Sequence, residues 1–410
     1  MMWRRPILIA GVFAIVYPAL TWGTVLSIVP SLLVKEEYND NIMLSEDDIK
    51  EDFISTISPG VVIANRTERL DTDIQLRINR REYSGNSEFN ATDQAYSGRL
   101  KYHITPLFGM SAEVAYLKDS RPDQDIETTG IVLSDEIRHR ITASLSTDYQ
   151  LTEKTAAGVS YSYSRNDFES QSNLDDKAHD TNIGLFYDLG AYIPMLKGRM
   201  NVGYSYYDTP DSRIKSVMGT IGVSRDIDEV WSVLLDSGIR HTWSYVSVAR
   251  LEPVFDHSLG FPVHIGNQVV KEDVKNSDWG WVGQASLNYK GEQGSGSISY
   301  SRGVQPASGL GGAVEHSALT LSTRYRLTTE LSFFLNAEYY SNESDASEFS
   351  AQDIDQRVLH IRPGGRYEFS KDIAVEAFYD YTEDDNKVSE VEAQRHMLSV
   401  RLNVQHSFFN

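Results

Sequence analysis

Three features of the sequence predict an all-β fold, a transmembrane antiparallel β-barrel of the outer-membrane kind with about 18 strands. Apolar and small polar side chains alternate with a period of two from Leu26 to Phe409. Short turns alternate with longer, acidic loops, and aromatic residues gather near both ends of the alternating segments. In Ala157-Gly158-Val159-Ser160-Tyr161-Ser162-Tyr163-Ser164 the apolar residues share one face and the small polar ones the other. Met200, Val202, Tyr204 and Tyr206 repeat the pattern against Asn201, Gly203 and Ser205. Leu331, Phe333, Leu335, Ala337 and Tyr339 do so against Ser332, Asn336 and Glu338. Such alternation marks a strand with one apolar and one wet face, and no helical stripe of useful length competes with it.

Taken in order, the first strand starts at Leu26 and runs into a long loop, Asn39–Glu51. A short turn at Thr67–Asp71 precedes a loop at Ser84–Asp93, and a turn at Thr105–Phe108 precedes a loop at Lys118–Asp135. The pairs continue with Leu151–Lys154 and Arg165–Asp180, then Gly190–Pro194 and Asp208–Arg213. Asp226–Glu229 leads to the longest connection, Val246–Ser277, and Lys290–Gly294 leads to Gly303–Glu315. Leu327–Glu330 precedes Ser341–Asp355, and Ser370–Asp372 precedes Thr382–Ala393. Eight turns and nine loops make 17 connections and 18 strands, an even number that places both chain ends on the periplasmic side.

A weak repeat marks the turns. Tyr102-His103-Ile104-Thr105, Tyr149-Gln150-Leu151-Thr152, Tyr325-Arg326-Leu327-Thr328 and Tyr367-Glu368-Phe369-Ser370 each close a strand, with Tyr187 and Tyr289 similarly placed. These tyrosines form one expected girdle, where amphipathic rings meet lipid head groups. Tyr116, Tyr204, Tyr206, Trp243, Tyr245, Trp279, Trp281, Tyr339, Tyr379 and Tyr381 form the outer one. A soluble β-sandwich with tyrosines in its core fits two such belts poorly. The last strand alternates Leu398, Val400, Leu402, Val404 and Phe408 with Ser399, Arg401, Asn403 and Gln405; Phe409 and Asn410 follow and offset the terminal aromatic.

Composition narrows the function. The 410 residues carry a formal charge of −20 and no cysteine. Nucleic acid is not an expected partner of so acidic a chain, and disulfides, thiolate metal sites and cysteine nucleophiles are excluded. Arg4 and Arg5 before the apolar run Ile7–Leu20, with Thr21 and Gly23 at −3 and −1, are laid out as a signal peptide over residues 1–23. Its removal takes −20 to −22 and leaves residues 24–410 as a single barrel domain.

The face opposite the apolar one would line the lumen. It carries Arg77, Arg99, Arg140, Arg240, Arg324, Arg362, Arg366 and Arg401, with Glu113, Asp148, Asp236, Glu338 and Glu376, and also Asp188 and Asp380. Charges are costly in hydrocarbon, which fits an inward position. These residues either guide an acidic solute, arginine being a fork-shaped donor to carboxylates, or pair across the wall and hold its shape. The connection Val246–Ser277, with Pro253, Phe255, His257, Phe261, Pro262 and His264, is expected to fold inward as a constriction or outward as a lid. The other acidic loops read chiefly as solvated surface. No zinc, nucleophile-elbow, P-loop or calcium-loop motif occurs, so no enzyme activity, catalytic residue, metal or cofactor is expected.

Pro30-Ser31-Leu32 through Glu36-Glu37-Tyr38-Asn39-Asp40-Asn41-Ile42, followed by Thr56-Ile57-Ser58-Pro59-Gly60, resembles a known family. It is similar to the outer-membrane β-barrel porins associated with exopolysaccharide biosynthesis and export in Gram-negative bacteria. The resemblance implies a multi-pass outer-membrane barrel in contact with lipid and lipopolysaccharide. It further implies an export conduit for an extracellular polysaccharide, served by separate periplasmic machinery. A diffusion porin for small solutes and a structural barrel plugged by a partner protein are the alternatives.

Overall fold

A computed structural model describes residues 25–120, 137–169, 173–256, 263–307, 309–345, 348–351 and 353–408. The expected leader, and Phe409 and Asn410, lie outside them. Strands β1 (Val25–Asn39), β2 (Asp52–Arg66), β3 (Leu70–Tyr83), β4 (Ala91–Thr105), β5 (Phe108–Asp119) and β6 (Arg138–Gln150) open the chain. They are followed by β7 (Thr155–Phe168), β8 (Asp176–Asp188), β9 (Leu196–Thr209), β10 (Ser212–Asp226), β11 (Trp231–Asp256) and β12 (Val263–Lys290). The set ends with β13 (Gly294–Pro306), β14 (Ala313–Arg326), β15 (Leu331–Ser344), β16 (Ile354–Ser370), β17 (Ile373–Asn386) and β18 (Val391–Gln405).

Each strand pairs antiparallel with its sequence neighbours, and β1 pairs with both β2 and β18, so the 18-stranded sheet closes on itself. The last strand keeps its register to the end. Ser31 faces Gln405, and further down Ile28 bridges Phe408 through hydrogen bonds of 2.9 and 3.1 Å. Phe408 therefore continues the ladder on the same face as Leu402 and Val404.

All eight short turns fall where the sequence places them, and the repeat shows why. Thr105, Thr152, Thr328 and Ser370 each accept, through the side-chain oxygen, the backbone N–H two residues on, at 3.2–3.3 Å. Asp228 does the same for Val230 at 2.9 Å. Hydroxyl and carboxylate oxygens satisfy donors that a tight turn leaves unpaired.

Three of the longer connections differ from expectation. Thr382–Ala393 narrows to residues 387–390, because β17 and β18 stay paired as far as Asn386 with Val391. Asp208–Arg213 is a hairpin in which only Pro210 and Asp211 separate Thr209 from Ser212. Val246–Ser277 is neither constriction nor lid in its described part. β11 and β12 run on together as a ribbon, pairing Ser247 with Asp273 through to Asp256 with Val263. A polar sequence reads as loop, but a ladder is built from backbone groups, and beyond the membrane no apolar alternation is required of it.

The barrel is inside-out in composition. Outward aliphatics such as Ile221 and Ile239 are 71% and 60% exposed, while Arg138, Asp380 and Thr382 are buried. Large aliphatic groups spread over a closed sheet find their proper solvent in hydrocarbon, and the tyrosine and tryptophan girdles lie on that same outer face. The fold is that of a multi-pass β-barrel of the outer membrane.

Candidate functional site

The interior has two unlike halves. On the periplasmic side inner residues Gln75, Arg77, Lys101, Ser144, Ser146, Asp148 and Arg324 are exposed. At the outer mouth, three connections fold back onto the inner wall. Leu44, held at φ +47°, packs on Ala318, Tyr340, Val358 and Ala393. Asn41 anchors that segment by donating to the carbonyls of Ser45 (2.7 Å) and Gln394 (3.0 Å). Ala307, packed with Val314, Ile354 and Leu310, begins the β13–β14 connection. Phe349, from the β15–β16 connection, fills a cluster with Ala178, Tyr207, Ile214 and Ala313.

The last two connections lock together. Phe349 carbonyl accepts from Ala313 N–H at 3.0 Å, and Ser350 Oγ donates to Gly311 carbonyl at 3.1 Å. Gly312 has φ +82°, and a Cβ there would lie 2.2 Å from the Phe349 oxygen, so glycine is required on two counts. Leu174 donates to Gly309 at 2.9 Å and ties in the β7–β8 connection. Together these segments cap the mouth.

Beneath the cap the charged residues form rows across neighbouring strands. Arg401 and Arg366 flank Glu376 at 2.6 and 3.8 Å. Arg362 binds Asp380 at 2.7 Å, and His360 joins Asp380 (2.9 Å) to Glu338 (3.2 Å). Arg395 extends this row through Thr382 at 3.1 Å. The Phe334 ring and the Phe378 Cβ close over Gly364, and Arg362 and Arg401 lie over the Phe378 ring at 5.4 and 5.8 Å. Elsewhere on the wall Arg99 pairs with Glu113 at 3.0 Å, Arg140 donates to Asn166 at 2.7 Å, and Arg199 pairs with Asp236 at 3.1 Å. Arg240 binds Asp278 at 3.2 Å and also Glu315, and lies over the Phe349 ring at 5.2 Å. The Asp148 carboxylate occupies the space a Cβ at Gly109 would take, 2.7 Å away.

Of the sequence-chosen residues, Arg99–Glu113, Arg366–Glu376–Arg401 and Arg362 with Glu338, through Asp380 and His360, are brought together. Arg77 and Arg324 stand exposed, and among the described residues no ion pair reaches either. Arg199 and Arg395 were open to the same alternation argument, being in phase with the inner residues of β9 and β18. Glu315 was not, because its neighbours on β14 place it on the other face, and only the bend of the β13–β14 hairpin brings it to Arg240. Among the described residues no cluster of His, Asp and Glu has the makings of a metal site.

No protein-family model matches the chain, and no curated protein matches it. Among solved structures it is similar to OccAB4 of Acinetobacter baumannii, with 11% identity, 94% of this chain and 99% of that one covered, and a TM-score of 0.46. OccAB1 of the same organism has 11% identity, coverage of 95% and 99%, and a TM-score of 0.44. The ferric-catecholate import receptor Fiu of E. coli K12 has 9% identity, coverage of 93% and 81%, and a TM-score of 0.46. Likeness at this level assigns neither cargo nor partner to this chain.

Proposed function

We propose that the protein is a loop-gated outer-membrane conduit for small hydrophilic, charged solutes. The observation that carries this reading is the pairing of a wet periplasmic half with a mouth closed by the chain's own loops around Phe349. The inner charges are mostly matched in sign across adjacent strands, which suits solutes of either charge better than a long polyanion. The second reading, a conduit for exopolysaccharide export, is favoured by the opening hairpin from Pro30 and by the exposed inner arginines Arg77, Arg99 and Arg324. It brings periplasmic export machinery as a partner.

Single-channel recording in planar bilayers tests the proposal, using the wild type and Phe349→Ala. The wild type should show brief openings and the variant a steady conductance. Block of the variant by polygalacturonate added on the periplasmic side would turn the reading to polymer export. Absence of conductance in both proteins would overturn the conduit.

A further inference from the structure

Between described residues, β12 and β13 share the shortest ladder in the barrel, eight pairs from Gly283–Arg302 to Lys290–Ser295. Above it β12 continues to Val263 with β11 alone as partner, and β13 continues to Pro306 with β14 alone. A slot therefore interrupts the wall. The upper part of β13 is drawn into the lumen, since Tyr207 on β9, which is no neighbour of β13, donates to the Val304 carbonyl at 3.1 Å. The slot lies level with the outer girdle. Trp279 and Trp281 border it, and Trp281 stacks on Tyr300 at 6.3 Å between centroids.

At the level where hydrocarbon meets head groups, an unpaired strand edge favours an occupant that offers polar groups inward and apolar ones outward. The walls of the slot have that same division. On the lumen side Arg240, only 2% exposed, bridges Asp278 of β12 to Glu315 of β14, and Arg302 reaches the same Glu315 from β13. Gly280 faces Arg240 and makes room for it, because a Cβ there would lie 2.5 Å from the guanidinium. Arg240 Nε is buried with no hydrogen-bond partner among the described residues. On the lipid side a groove runs down from the slot between Ile221, Val223, Leu235, Trp281, Ala285 and Tyr300.

We infer that the slot is a lateral portal through which an amphipathic molecule with one apolar chain passes between the lumen and the outer leaflet. Its polar end meets the Arg240–Glu315 bridge, and its chain lies in the Trp281–Tyr300 groove. The inference rests on the conduit reading above. The same chemistry belongs to a resident membrane lipid and to a transported solute, and the test separates them.

The chain has no cysteine, so Val282→Cys with Gly303→Cys introduces a single pair where the interrupted register would bring the strands together; a Cβ at 303 meets nothing within 4 Å. In vesicles holding this protein with Phe349→Ala, ion conductance and transfer of a fluorescent dodecanoate are read before and after oxidation. Closure of the disulfide should reduce dodecanoate transfer to that of protein-free vesicles while conductance persists, and reductant should restore transfer. Unchanged transfer after closure is confirmed by mass would overturn the portal. Transfer that responds to the lock without any conductance would support the portal and refute the conduit. Should the pair not close, a nitroxide on Ser237→Cys in the groove gives the second measurement. Immobilisation by dodecanoate beyond that seen in lipid alone supports the portal, and equal immobilisation in both marks a resident lipid and overturns it.

Discussion

Gly364 shows how closely single residues set the wall. A Cβ at this position would lie 2.3 Å from the Phe334 ring and 2.8 Å from Phe378 Cβ. Gly364→Ala is expected to destabilise the barrel by about 2 kcal/mol, the usual cost of overpacking, seen as a lower urea midpoint of unfolding. Glu348 sets a dependence on pH. Burial raises its carboxyl above the ordinary glutamate value, and the carboxylates of Asp278, Asp345 and Glu315 add to this against the backbone hydrogen bond with Asp345 that lowers it. A carboxyl raised in the docked loop favours docking most below its ordinary value, and that advantage is lost as the pH rises through the raised one. Open probability should therefore rise from acid towards neutral pH, and Glu348→Gln should flatten the profile in single-channel records. The inner arginines were legible in the sequence because each occupies the small-residue phase of its strand. Which acid each one meets was not, since Arg240 reaches Glu315 at a separation of 75 positions along the chain.

Individual hairpins were the most legible unit. The Tyr-x-x-Thr repeat encodes both a girdle position and a side-chain acceptor for the turn, so it marks strand ends from composition alone. The β11–β12 ribbon was misread because its backbone pairing leaves no hydrophobic signature outside the membrane. Among the described residues its tie to the barrel beyond the shared strands is slight, chiefly Lys271 to Asp211 at 3.0 Å and Ser247 N–H to the Asp211 carbonyl at 2.8 Å. Replacing residues 247–273 by an Asn-Gly turn, which joins the paired Val246 and Val274, should leave the barrel folded, with unchanged heat-modifiable mobility on gels. A protein that no longer folds after this excision would show that the ribbon guides closure of the sheet.

For the whole molecule, the cap is the element on which gating depends. Removing the Phe349 ring from its buried cluster should cost the docked state about 3 kcal/mol, or roughly two orders of magnitude in the ratio of closed to open mouths. Conductance of Phe349→Ala measures this directly, and a closed time unchanged from the wild type would show that the Leu44 segment alone suffices. The sequence by itself determined the strand number, the closure of the sheet, the inner and outer faces and the two girdles, because period-two alternation and turn chemistry are local properties of the chain. The tertiary structure alone decided that three connections turn inward, that β13 leaves β12 above Gly283, and which charges meet beneath the cap. Those outcomes depend on contacts between strands far apart in the chain, such as Tyr207 with Val304 and Phe349 with Ile214. No local pattern records them, because each side chain there is chosen for a partner that only closure of the barrel brings near.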